Sequence, residues 1–142
     1  MTGSAAPELA YVALGSNLGD RLGHLAAARA RLAALPETTL LAASSIDETM
    51  PLGGMTQPPY LNQMVLLRTG LSPEQLLVAC HAIEASRGRT RGARWSSRTL
   101  DLDIVKYGER CIVAPDLVVP HPELPNRDFW QRELMELATH AR

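Results

Sequence analysis

The chain has 142 residues, with 14 Lys or Arg against 15 Asp or Glu and a formal net charge of −1. That length suits one domain with a two- or three-layer core, and the balanced charge excludes a global pull toward nucleic acid or anionic lipid. Two cysteines without metal-ligand spacing exclude a disulfide framework, and no apolar run nears the ~18 residues that span a bilayer.

The N-terminus has neither a basic n-region nor a long apolar h-region, so no signal peptide is expected. The expectation is a soluble, cytoplasmic protein in which Cys80 and Cys111 are both buried free thiols. Residues 1–142 read as one domain, with residues 1–8 a loose tail.

Residues 9–14 read as a first strand, and Gly15-Ser16-Asn17-Leu18-Gly19 as a strand-to-helix turn. That loop lacks the G-K-[ST] ending of a phosphate loop. Asp20 suits an N-cap, and Leu22, Leu25, Leu32 and Leu35, with Arg29 among them, form a helical stripe that Pro36 ends. Residues 38–49 read as a second strand. Residues 50–59, with Pro51, Gly53, Gly54, Pro58 and Pro59, read as a loop.

Residues 60–68 form the third expected strand, with Tyr60, Asn62, Met64 and Leu66 on one face and Leu61, Val65 and Leu67 on the other. Ser72-Pro73-Glu74-Gln75 is a capping box with Pro at the first helical position. The helix behind it buries Leu76, Leu77, Cys80 and Ile83 and runs toward Gly88. Residues 89–97 are an arginine-rich loop and residues 100–107 a fourth strand. A turn at Gly108-Glu109-Arg110 leads to residues 111–113, then a proline-punctuated stretch at 115–125 and a last helix at 128–141. The order β-α-β-β-α-β with a C-terminal extension is the ferredoxin-like α/β (α+β) sandwich, an antiparallel or mixed sheet with helices on its faces.

Chemistry concentrates at Asp101-Leu102-Asp103. Leu100, Leu102 and Ile104 alternate with the aspartates, so both carboxylates leave one strand face, roughly 6–7 Å apart. Such a pair could simply decorate a solvated face. Upstream, however, Arg87, Arg89, Arg91, Arg94 and Arg98 stand within twelve residues. Paired carboxylates suit Mg²⁺, which takes one or two of them plus phosphate oxygens and water, and arginine suits phosphate. An RNA contact is the competing use of the arginines, but no RNP-like aromatic pair accompanies them.

Tyr60 and Asn62 offer a ring and an amide on one face, and Phe129 a second ring, enough to hold a flat heterocycle. The alternative is ordinary packing. His121 lies between Pro120 and Pro122, which restrict its backbone. Trp95 in a polar loop is either packed locally or a lid.

Taken together, Tyr11-Val12-Ala13-Leu14-Gly15-Ser16-Asn17-Leu18-Gly19-Asp20, Tyr60-x-Asn62, Arg94-Trp95-x-x-Arg98-Thr99-Leu100-Asp101-Leu102-Asp103-Ile104, Val119-Pro120-His121-Pro122 and Arg127-x-Phe129 resemble the 6-hydroxymethyl-7,8-dihydropterin pyrophosphokinases of folate biosynthesis. The resemblance runs from about residue 10 to about residue 137 and implies the ferredoxin-like fold. It implies transfer of pyrophosphate from ATP to the pterin hydroxymethyl group, with release of AMP. It also implies that Asp101 and Asp103 hold two Mg²⁺ ions and that Tyr60 and Phe129 sandwich the pterin. Asn62 and groups near Thr49 and Leu52 would read the pterin's amide edge. Arg89 and Arg91 would lie in a mobile catalytic loop that Trp95 helps close. Arg94, Arg98, His121 and Arg127 would serve ATP, with the backbone of Ile104 near adenine. A monomer without nucleic-acid or membrane partners is expected.

The chain departs from the family pattern in three places. Met50 stands where a proline usually precedes Pro51-Leu52-Gly53, the arginine loop is short between Arg91 and Arg94, and Phe129-Trp130-Gln131-Arg132-Glu133-Leu134-Met135 replaces F-V-L-x-P-L. Those departures leave open a paralogue acting on another pterin, and a nucleic-acid or regulatory module is the reading from another class.

Overall fold

The computed structural model describes residues 6–50, 58–88 and 99–141. Leu52, Arg89, Arg91, Arg94, Trp95 and Arg98 lie outside that set, as does most of the expected tail.

Strand β1 (Glu8–Ser16) is longer than expected at both ends. Glu8 pairs with Thr69 and bridges to Arg110, so it belongs to the sheet rather than to a tail. Helix α1 (Arg21–Ala33) starts at Asp20, whose carboxylate accepts from the Gly23 N–H. Its buried residues are Leu25, Ala28 and Leu32, whereas Leu22 is exposed, a correction to the expected stripe. Leu22 sits in the first turn, rotated away from the i, i+3, i+7 row that Leu25 begins.

The expected second strand is two strands, β2 (Thr38–Ala43) and β3 (Asp47–Thr49), both antiparallel to β4 (Tyr60–Thr69). Ser44 makes the break. Its N–H still donates to the Met64 carbonyl, but its hydroxyl accepts from the Met64 N–H and its carbonyl accepts from the Gln63 amide, so side chains take up the rest of the ladder there. Helix α2 (Pro73–Ser86) carries the expected capping box in full. Strand β5 (Asp101–Tyr107) follows. A small hairpin, β6 (Ile112–Ala114) with β7 (Leu117–Val119), occupies part of the stretch expected to be irregular. Helix α3 (Asp128–Leu137) ends earlier than expected and continues as a 3₁₀ turn at Ala138–His140.

The main sheet has the order β2-β4-β1-β5, with β3 beside β4 and every pairing antiparallel. This is the split β-α-β arrangement, because β4 separates the two strands joined through α1. The alternation of β1 sends Val12 and Leu14 to one face, where Leu25, Leu32, Leu76 and Ile83 of α1 and α2 meet them. Ala13 faces the other way, with Met64, Leu66 and Val105, under Trp130 and Leu137 from α3. A bulge lets β5 serve both layers: Tyr11 pairs with Lys106 and Val12 with Ile104, leaving Val105 as the extra residue. Hence Leu102, Ile104 and Tyr107 join the α1/α2 layer, and Val105 joins the α3 layer.

Candidate active site

Alpha helix α3 covers only part of its face of the sheet. Beside it, a cleft of about 920 Å³ opens along the ends of β4, β1 and β5. Its floor follows from register. Gly15 pairs with Asn62 on one side and Asp101 on the other, and Ala13 pairs likewise with Met64 and Asp103. Cross-strand partners share a face, so a strip of two small residues separates the amide side from the carboxylate side. A Cβ added at Gly15 would stand 3.4 Å from Asn62 Oδ1 and 3.6 Å from Tyr60 Cδ1, so the absent side chain is what leaves the floor open.

On the β4 side, Tyr60, Asn62, Thr49 and Met50 line the cleft. Asn62 is buried and its Nδ2 donates to Thr49 Oγ1 at 2.7 Å. That bond orients the amide and directs Oδ1 toward the space above Gly15. Phe129, on the first turn of α3, lines the cleft from above.

On the β5 side, Asp101 and Asp103 are half-buried, with Leu102 between them turned into the core. His121 Nε2 stands 3.7 Å from Asp103 Oδ1. The ring is held on three sides. Its backbone N–H donates to the Val105 carbonyl, its Nδ1 accepts from the Glu123 N–H, and its edge meets the Trp130 ring with centroids 4.9 Å apart. An Nδ1 that accepts leaves Nε2 as the donor of the neutral ring, aimed toward Asp103. Arg127 also reaches the cleft, with its guanidinium 4.5 Å over Trp130.

The cleft continues around β5, the last strand of the sheet. Here Leu77, His81 and Glu84 of α2 face Leu117 and Val118 of β7. None of these residues was expected at the site, since neither a stripe on α2 nor a short apolar strand carries a mark of chemistry. Glu84 is buried, and its Oε2 accepts from the Leu102 N–H at 2.7 Å, which fixes the backbone between the two aspartates. Leu102 therefore turns its N–H away from β1. Ile104, two residues on and before the bulge, has the same parity, so its backbone groups also face the outer edge.

Thus Thr49, Tyr60, Asn62, Asp101, Asp103, Ile104, His121, Arg127 and Phe129 all line one cleft. Arg87 does not join them; it caps α2 and donates to His24 of α1. Cys80 is buried in the core, where burial and nearby Glu84 and Asp103 push its thiol up to about 12, leaving it unreactive. Cys111 is exposed, against expectation, because it sits in the turn before β6 rather than within a strand.

Oxygen donors of the Asp101/Asp103 kind fit Mg²⁺. The described residues hold no group of three or more His, Cys, Asp or Glu arranged around a metal. Two carboxylates at an open cleft suit an ion that keeps water and phosphate oxygens as its other ligands.

Residues 11–139 match the family model described as 7,8-dihydro-6-hydroxymethylpterin-pyrophosphokinase (HPPK). The chain is 44% identical over 132 residues to a 2-amino-4-hydroxy-6-hydroxymethyldihydropteridine pyrophosphokinase of Pseudomonas aeruginosa, covering 93% of this chain and 82% of that one. Proteins of the same name from Haemophilus influenzae and Bacillus subtilis are 42% and 43% identical, over 92% and 91% of this chain and 81% and 77% of theirs.

Proposed function

The chain belongs to the 7,8-dihydro-6-hydroxymethylpterin-pyrophosphokinase family, and from that premise we propose how its cleft performs the family's reaction. The enzyme transfers pyrophosphate from ATP to the hydroxymethyl group of 6-hydroxymethyl-7,8-dihydropterin in folate biosynthesis, releasing AMP. The observation that carries the site assignment is the strip of Gly15 and Ala13 between Tyr60 and Asn62 on one side and Asp101 and Asp103 on the other.

The pterin ring lies over Gly15, between Tyr60 and Phe129. Offset stacking on two aromatic rings suits a flat, polarised heterocycle. Asn62, oriented by Thr49, presents Oδ1 to the ring's N–H donors, and backbone groups near Thr49 and Leu52 complete that edge. This places the hydroxymethyl arm toward β5.

ATP enters from the β5 edge. Its adenine lies by the outward backbone of Ile104, near Leu77 and His81, and its phosphates run toward Asp103. His121 donates from Nε2, and Arg127, Arg94 and Arg98 supply further cationic donors, which hold the chain in line. The pterin hydroxyl oxygen attacks the β-phosphorus as the bond from that phosphorus to the α-phosphate oxygen breaks. AMP leaves with that oxygen, and the Asp103 carboxylate takes the hydroxyl proton. Asp101 and Asp103 would hold two Mg²⁺ ions, whose chemistry is charge neutralisation and polarisation at the phosphates. Arg89 and Arg91 stabilise charge on the transferring group, and Trp95 helps close the site against water.

The reading takes residues 1–142 as one domain working as a monomer in the cytoplasm. The span of the family match, 11–139, supports the single domain. Among the described residues no helix is long and apolar enough to cross a membrane. The test is AMP formation from Mg-ATP with and without the pterin. Formation only with 6-hydroxymethyl-7,8-dihydropterin supports the reading; formation only with another pterin, or none, overturns it.

A further inference from the structure

Trp130 is one of the largest side chains in the fold and only 2% exposed. It lies in the first turn of α3, between Phe129 and the rest of the helix, and packs on Met64, Leu66 and Val105. Three side chains assigned to the cleft touch this one ring. His121 meets it edge-on with centroids 4.9 Å apart, the Arg127 guanidinium lies 4.5 Å over it, and Phe129 meets it at 6.2 Å. A ring that only filled the core would have no reason to carry the cationic and polar heads of the site on its face and edge.

We propose that Trp130 is a positioning residue for the phosphate end of the cleft, holding Arg127 on its π-face and His121 against its edge. The proposal rests on the assignment of Arg127 and His121 to ATP. Arginine is long and loses much rotamer freedom when it binds phosphate. A guanidinium already parked on an indole has lost part of that freedom beforehand, and the attraction between cation and ring holds it there. His121 gains from the same ring a third restraint beside its bonds to Val105 and Glu123. Trp130 lines the cleft with only the 2% of its surface left open; in this proposal it acts through those two residues.

The experiment compares wild type, Trp130→Phe and Trp130→Leu in steady-state kinetics, varying ATP and pterin separately. Loss of the cation-ring contact predicts a KM for ATP raised roughly tenfold in Trp130→Leu. The KM for the pterin should stay within about twofold, and Trp130→Phe should recover most of the ATP effect because it keeps a π-face. A purely structural role would lower the active fraction, and so the apparent kcat, with both KM values unchanged; that pattern overturns the proposal. A second readout needs neither activity nor a variant at position 130. The Arg127 side-chain Nε–H resonance, assigned with Arg127→Lys, should be displaced upfield by the indole ring current in the wild-type protein. A resonance at the ordinary exposed-arginine position overturns the proposal even where Trp130→Leu does not fold. Absence of pterin-dependent AMP in wild type overturns the functional reading instead, and the resonance then decides this one.

Discussion

Glu133 of α3 is buried with its carboxyl against that of Asp47 on β3. Burial, then the neighbouring Asp47 carboxyl, push the Glu133 carboxyl up to about 9, while Arg132 answers Asp47 at 3.0 Å from the same helix. Glu136, the other acid facing this group, is held by the N–H and hydroxyl of Ser45. Around neutrality Glu133 therefore keeps its proton. Between its ordinary value near 4.5 and about 9 the folded chain holds a proton that the unfolded chain has released. This contribution to stability is full below that window and is lost as pH rises through it, at a limiting slope of about 1.4 kcal/mol per pH unit. Glu133→Gln keeps a neutral side chain of the same size and removes the titration. Urea unfolding from pH 5 to 9 should show wild type losing stability relative to Glu133→Gln as pH rises.

In the proposed mechanism Asp103 takes a proton and helps hold a metal, so its loss should act on turnover rather than on folding. Asp103→Asn is expected to lower kcat by about a hundredfold or more at saturating Mg²⁺, with a urea midpoint close to wild type. Near-normal turnover would remove both roles.

Gly15 leaves open the floor on which the pterin would rest. Gly15→Ala adds a Cβ at ordinary contact from Asn62 and Tyr60, so the fold should tolerate it to within about 1 kcal/mol. The added methyl should nonetheless raise the KM for pterin, and Gly15→Val should raise it further, with ATP affinity little changed. Isothermal titration of each ligand separates the two effects.

Phe129 supplies one wall of the same pocket. Phe129→Ala is expected to weaken pterin binding by roughly tenfold, the worth of one aromatic contact, and to spare ATP. Equal losses for both ligands would place Phe129 elsewhere in the mechanism.

Much of this site was legible because strands declare their faces. The period of two in Asp101-Leu102-Asp103-Ile104 put both carboxylates on one side, and Tyr60-Leu61-Asn62 did the same on β4. Register was not legible: nothing in Ile104-Val105 says which residue is the bulge, since both are apolar and each meets a different core layer. The split of β2 from β3 was equally hidden, because it depends on the Ser44 hydroxyl and the Gln63 amide entering the ladder from a distance. Pro115 concealed the β6–β7 hairpin. Nothing in the sequence marks Glu133 and Glu84 as buried; the packing of α3 and α2 turns them inward. The loop carrying Arg89, Arg91, Arg94, Trp95 and Arg98 was named from its residues, and its place falls outside the described chain.

In the proposed mechanism one cleft joins a pterin alcohol to the pyrophosphoryl group of ATP. The most direct measurement is chromatographic detection of AMP after incubating the purified chain with Mg-ATP, with and without 6-hydroxymethyl-7,8-dihydropterin. Equimolar AMP and pterin diphosphate, appearing only when that pterin is present, is the predicted result. Release of ADP, or AMP formation indifferent to the pterin, would contradict it.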